Sequence, residues 1–254
     1  MATLAAGLDW GSEFKAFTPY HATMLGLCLL AIVAACVIGL RLRGSAREKR
    51  FRVMWGWVVL FYKIAETVHD CWPGRFDLKD SLPLQVCDLA AFLAAGAMIT
   101  QRRTLRALLY FWGLGLSPQA VLMPTLTAGY RSLDFWFFWG SHTMVIGSAV
   151  YDLIVMRFRP SFRDLAIAAG WILAYALIVT GVNLGFQVNY GFIGNTNSGN
   201  PPAIERLGPW PLRAIKVCSA VGGLFVVMWA VWAVGRRVGL VRKSASGAAR
   251  APVP

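Results

Sequence analysis

Apolar residues fall in seven long runs along the 254-residue chain, at 20–40, 53–69, 83–100, 105–121, 135–156, 165–184 and 212–234. Most approach the ~20 residues that an α-helix needs to cross hydrocarbon. The pattern predicts an all-α fold, a polytopic membrane helical bundle with seven transmembrane helices. The fourth run is short and interrupted by Gly113, Gly115 and Pro118, which predicts a kinked or tilted helix. Around this 20–234 transmembrane domain, residues 1–19 read as an extracytoplasmic N-terminal segment. They lack the basic start of a cleavable signal peptide. Residues 235–254 read as a basic, disordered cytoplasmic tail, rich in Ser, Ala, Gly and Pro toward its end.

Composition agrees with a bilayer environment: 57% of residues are hydrophobic and only 15% charged, far too apolar for an ordinary soluble domain. The net charge of +13 would fit a nucleic-acid partner if it were spread over one face. Instead Lys and Arg crowd alternate connections: Arg41 to Arg52, Arg102 to Arg106, Arg157 to Arg163, and Arg236 onward. The intervening connections carry few. By the positive-inside rule this places the N-terminus outside and the C-terminus in the cytoplasm, and six or eight spans would put a basic loop on the wrong side. The charge is then explained by orientation and anionic lipid, with no nucleic acid involved. Oligomeric state leaves no trace in the sequence.

Polar residues inside the apolar runs concentrate on the outer side. Run two ends with Lys63, Glu66 and His69; run three opens with Gln85, Cys87 and Asp88. Ser117 and Gln119 close run four, His142 lies seven residues into run five, and Asn183 ends run six, followed by Gln187, Asn189 and Tyr190. The inner halves are nearly free of such groups, with Asp152 an exception near the cytoplasmic border. Intramembrane polar groups are expensive, so this one-sidedness predicts a shared cavity opening toward the outer leaflet.

Cys87 stands apart from Cys28, Cys36 and Cys218, which lie in uniformly apolar runs where a thiol is a small hydrophobe. Pro83 suits the first helical position, which sets Cys87 one turn in, where the helix dipole favours a thiolate only weakly. Structural packing, or a disulfide with Cys71 on the same side, competes with the reactive reading. His142 sits among aromatics, where a lone histidine is ordinarily a packing residue. It is also the plausible general base at the depth of Cys87. Lys63 and Glu66 have the spacing of a helical ion pair. No metal-ligand spacing, phosphate loop, dinucleotide fingerprint or serine elbow occurs, so chemistry here is expected to need neither cofactor nor metal.

Three segments together carry a resemblance: Leu82-Pro83-Leu84-Gln85-Val86-Cys87, Ser141-His142, and Asn189-Tyr190-Gly191-Phe192 followed by Leu207-Gly208-Pro209-Trp210-Pro211. From residue 20 to 234 the chain resembles the YwaF-like family of integral membrane proteins, relatives of eukaryotic transmembrane protein 164. The resemblance implies a bacterial cell-membrane protein and a cysteine-dependent acyltransferase that remodels phospholipid. Cys87 then matches the nucleophile and His142 its base. Gln85 departs from the histidine expected there, and the 194–202 linker departs from the usual one. On this expectation Gln85 and Asn183 are candidate oxyanion donors, and Asp88 or Glu66 orients the imidazole. His69, Gln119, Asn189 and Tyr190 are candidate substrate contacts, and the partners are membrane lipids and a lipid ester. The alternative is an outward-opening lipid or small-molecule binder, carrier or receptor without catalysis.

Overall fold

Every predicted apolar run becomes helical in the computed structural model, which describes residues 13–195, 204 and 207–238. The helices are α1 (Pro19–Leu42), α2 (Ala46–Asp70), α3 (Val86–Thr100), α4 (Arg103–Leu108), α5 (Ser117–Leu122), α6 (Leu133–Ile154), α7 (Phe162–Phe186) and α8 (Leu212–Arg237). Among the described residues there is no strand beyond one isolated bridge, Glu13 to Ala128. The helices α1, α7 and α8 are long and apolar enough to cross a membrane. They expose Leu30, Ile178 and Val231 on their outer faces, as lipid-facing helices do.

The weak fourth run is broken as its glycines and proline predict. It is α helical through Leu108, π-helical over Leu109–Leu114, and restarts at Ser117 with Pro118 in the first turn. The wider π turn is buried between α3 and α6 and places Phe111 and Trp112 in the core.

Several boundaries differ from the sequence reading: Arg236 and Arg237, read as part of the disordered tail, form the last turn of α8, and Arg163, read as loop, lies in the first turn of α7. Arg47, Lys49, Arg50 and Arg52, read as loop, belong to the first turns of α2, which Ser45 caps by accepting from Glu48 N–H. The third helix starts at Val86, three residues later than Pro83 suggested. Its start is fixed by Asp88, whose Oδ2 accepts the Gln85 N–H at 3.0 Å, half of a capping box.

α3 lies at the centre, packed on α2, α6 and the π turn. Its buried face is nearly all alanine (Ala90, Ala91, Ala94, Ala95, Ala97), which lets neighbouring backbones approach. Gly56 of α2 completes the fit: a Cβ there would sit 2.7 Å from Ile99 Cγ1 and 3.0 Å from the Ala95 carbonyl oxygen. A second core joins the π turn, α7 and α8 through Tyr110, Phe111, Tyr175, Val179 and Phe225. Phe14 plugs a third cluster against Tyr20, Phe135 and Trp139.

A polar seam runs along α2 at a spacing of seven. Glu48 accepts from Tyr151 Oη at 3.0 Å, and Trp55 Nε1 donates to Ser148 Oγ at 2.9 Å. Tyr62 Oη donates to the Trp136 carbonyl at 2.5 Å, and His69 Nε2 meets Asp134 Oδ1 at 2.9 Å. All four partners lie on α6, so the two antiparallel helices are bonded along their length. Seven-residue spacing is that of helices packed at a shallow angle.

The basic end holds more buried charge than Asp152 alone. Glu48 and Arg52 pair at 3.2 Å, and Arg52 also donates to the Met98 carbonyl. Arg106 binds Asp152 at 2.9 Å and Arg103 binds Asp164 at 2.6 Å. Each buried carboxylate there has a cationic partner, the condition for tolerating it.

Candidate functional site

At the opposite end of the bundle, 15-residue α3 spans only about 22 Å at 1.5 Å per residue. Residues 82–85 continue it as irregular chain, whose backbone groups must find partners inside the protein. Tyr190 Oη accepts from Leu82 N–H at 3.2 Å and donates to the Leu78 carbonyl at 2.6 Å. Tyr175 Oη donates to the Leu84 carbonyl at 2.8 Å. Gln85 Oε1 accepts from Gly191 N–H at 3.0 Å. Three residues of α7 and the turn after it thus clasp the segment leading to Cys87.

The clasp is itself built by Asn183, which is fully buried. Its Nδ2 donates to the Tyr190 carbonyl at 2.9 Å and its Oδ1 accepts the Tyr190 N–H at 2.8 Å. Asn189 Oδ1 takes Gly194 N–H at 2.8 Å, and Arg213 of α8 reaches the Gly194 carbonyl at 2.5 Å. Gly191 has φ +65, and a Cβ there would meet Tyr175 Oη at 2.8 Å, so glycine is required by both conformation and space. The Asn-Tyr-Gly-Phe motif therefore has a local structural duty. Asn183 and Tyr190 spend their polar groups on this clasp, not on an open surface. Most of the 194–202 linker lies outside the described residues.

The later helix start moves Cys87 from one turn in to the second helical residue, within the first turn, where the unpaired N–H groups and the dipole act most strongly on an anion. Cys87 is partly buried, and both it and Cys71 are free thiols, so the predicted competition from a disulfide is not realised. Cys71 Sγ faces the Ser81 carbonyl at 3.4 Å.

Asp88 bridges two helices. While Oδ2 caps α3, Oδ1 lies 2.5 Å from Lys63 Nζ of α2, and Lys63 also pairs with Glu66 at 3.1 Å. Lys63 is the member that sequence reasoning placed only in a local i,i+3 pair. Its partner 25 residues away carries no sequence signal.

On α6, His142 is buried. Its Nδ1 lies 2.7 Å from the Phe138 carbonyl oxygen, and Nε2 has no partner. A carbonyl can only accept, so Nδ1 carries the proton and Nε2 presents a lone pair. Helices α3 and α6 are direct neighbours. Among the described residues no hydrogen bond joins Cys87 to His142; both lie within electrostatic reach of Lys63 and Asp88.

A cavity of about 510 Å³ opens beside this cluster, lined by Glu66, Asp70, Arg75, Asp77, Asp134 and Phe138 among others. At its rim, burial and the neighbouring Asp77 carboxylate push the Asp80 carboxyl upward. Among the described residues His69, Asp70 and Asp134 bring ligand atoms within 4.8 Å of one another. Arg75 already holds Asp134 Oδ1 at 2.7 Å, the same oxygen that His69 meets, so the grouping is an ion-pair network as it stands. Gln119 is exposed on α5 and takes no part in the cluster.

Apolar helices with exposed hydrocarbon faces around a buried polar cluster define a helical membrane protein with a candidate reactive or binding centre near one end. The chain belongs to the TMEM164 family, whose family model matches residues 16–232. It is also similar to a protein of Treponema pallidum (strain Nichols) described as uncharacterized, 33% identical over 152 residues. That match covers 59% of this chain and 62% of the relative's length. No solved structure matches.

Proposed function

We propose that this is a seven-span protein of the bacterial cell membrane, N-terminus outside, and a cysteine-dependent acyl-transfer enzyme acting on a phospholipid ester at the outer leaflet. The observation that carries the reading is the His142 imidazole: buried, fixed in one tautomer by the Phe138 carbonyl, with an unpartnered basic Nε2. A buried polar atom without a partner calls for an occupant.

In the reaction, Cys87 gives its proton to His142 and its sulfur attacks the ester carbonyl. The C–O bond breaks, the lysolipid alkoxide takes the proton from His142, and a thioester remains on Cys87. An acceptor hydroxyl or water then loses its proton to Nε2 and attacks the thioester, and the departing sulfur is reprotonated. Apo hydrogen bonds of this kind are often open and close around substrate. Gln85 Nε2 and the backbone N–H groups of Val86 and Cys87 at the start of α3 are the donors we assign to the developing oxyanion. Glu66 and Asp88 set the charge around the imidazole.

The cavity lies over Glu66 and Phe138 instead of Cys87, which favours, as a second reading, an outward-opening binder without catalysis. A thiol-reactive probe with a lipid tail separates the two on the full-length protein. Because Cys71 and Cys218 are also exposed free thiols, the labelled residue is read by peptide mass spectrometry; labelling concentrated at Cys87 and sharply reduced there in His142→Ala is expected. A Cys87 that labels no faster than Cys71 and Cys218 would overturn the enzyme reading.

A further inference from the structure

Lys63 has a task beyond helix pairing. A buried ammonium in a membrane-spanning helix is costly, and its place is normally dictated by a partner. The Lys63 side chain is 3% exposed, and its closest partner is not Glu66 on its own helix but Asp88 on α3, 2.5 Å away. Asp88 cannot leave that position without releasing the Gln85 N–H that it caps. One carboxylate is therefore held from both sides, by the ammonium of α2 and by the backbone of α3. Cys87 is the residue before it.

The charges around this point are unequal. Glu66 on α2 and Asp88 on α3 face Lys63, and Asp70 lies within electrostatic reach of both Lys63 and Asp88. His142 on α6, with Nδ1 turned to the Phe138 carbonyl, adds no charge in its neutral form, and Tyr175 of α7 lies within electrostatic reach of Cys87. The single ammonium is what keeps a carboxylate tolerable next to a sulfur that must become negative.

We propose that Lys63 is the positioning residue of the site: it anchors Asp88, fixes the turn that presents Cys87, and neutralises the carboxylate beside the thiol so that negative charge can form on sulfur. The proposal rests on Cys87 being the reactive thiol.

The test is the rate of Cys87 alkylation by iodoacetamide between pH 6 and 10, read by peptide mass spectrometry on the full-length protein in detergent. Lys63→Met is expected to slow alkylation about tenfold at neutral pH and to move the profile about one unit upward. Lys63→Arg, which keeps the charge, stays within about threefold of wild type. Lys63→Met with Asp88→Asn restores the balance and recovers the rate, since a neutral pair replacing a buried ion pair is commonly tolerated. An unshifted profile in Lys63→Met, or a double variant about tenfold slower than wild type, overturns the proposal; the double variant decides even where the single one fails to fold. Alkylation reads the thiol alone. A shifted profile without any acyl transfer sinks the enzyme reading and leaves the role of Lys63 standing, and acyl transfer with an unshifted profile does the reverse.

Discussion

The Tyr175 hydroxyl lies 2.8 Å from the carbonyl oxygen of Leu84, three residues before Cys87, and ties α7 to the start of α3. Tyr175→Phe keeps the ring in the core and strands that carbonyl, at a cost of about 1–3 kcal/mol. Thermal unfolding in detergent should show the loss. The freed segment should also make Cys87 alkylate faster, a change that a remote core defect would not produce.

Asn183→Ala removes both hydrogen bonds to the Tyr190 backbone inside a fully buried site. Two buried backbone groups are left unsatisfied, so the expected destabilisation is about 2–4 kcal/mol. Asn183→Asp, which retains the acceptor but not the donor, should fall between alanine and wild type on the same melting curves.

Replacing His142 tests the proposed general base directly. His142→Asn should leave folding nearly intact while lowering lipid-probe labelling of Cys87 by about 10²–10⁴-fold, the range of general-base catalysis. Equal labelling by the variant and the wild type would remove His142 from the mechanism.

Gly56→Val places branched atoms where even a Cβ would come within 2.7 Å of Ile99. Pushing α2 off α3 should cost about 1–3 kcal/mol. It should also loosen the Lys63–Asp88 contact, visible as slower Cys87 alkylation in protein that remains folded.

Both thiols near the site are free and Cys71 is exposed. A maleimide should modify Cys71 rapidly without reductant, and Cys71→Ser should leave Cys87 labelling unchanged. Recovery of a bridged Cys71–Cys87 peptide pair would contradict this.

Hydropathy located the helical bodies because burying apolar side chains leaves a long uninterrupted run, and the glycines and proline of the fourth run marked its break. Position along each helix was legible too, since it follows from counting residues. Lateral position is not encoded that way. Leu82, Pro83 and Leu84 look like helix by composition, yet they are irregular chain, because Asp88 captures the Gln85 N–H and the tyrosines satisfy the backbone from elsewhere. The Lys63–Asp88 pair was hidden because Glu66 offered a local partner at ideal spacing. One signal was available: Glu48, Trp55, Tyr62 and His69 recur every seven residues, a polar stripe that needed a facing helix.

That stripe has a mechanical consequence. With α2 stapled to α6 at four levels, the pair behaves as a strut, and His142 and Lys63 ride on one stiff frame. Near Cys87 the α7 side is held to the frame's neighbour α3 by the polar contacts of Tyr175, Tyr190 and Gly191, over apolar packing of Leu82, Leu84 and Val86. Fewer polar ties hold that side than bind α2 to α6, so amide exchange over residues 82–85 should outpace exchange within the α2–α6 pair.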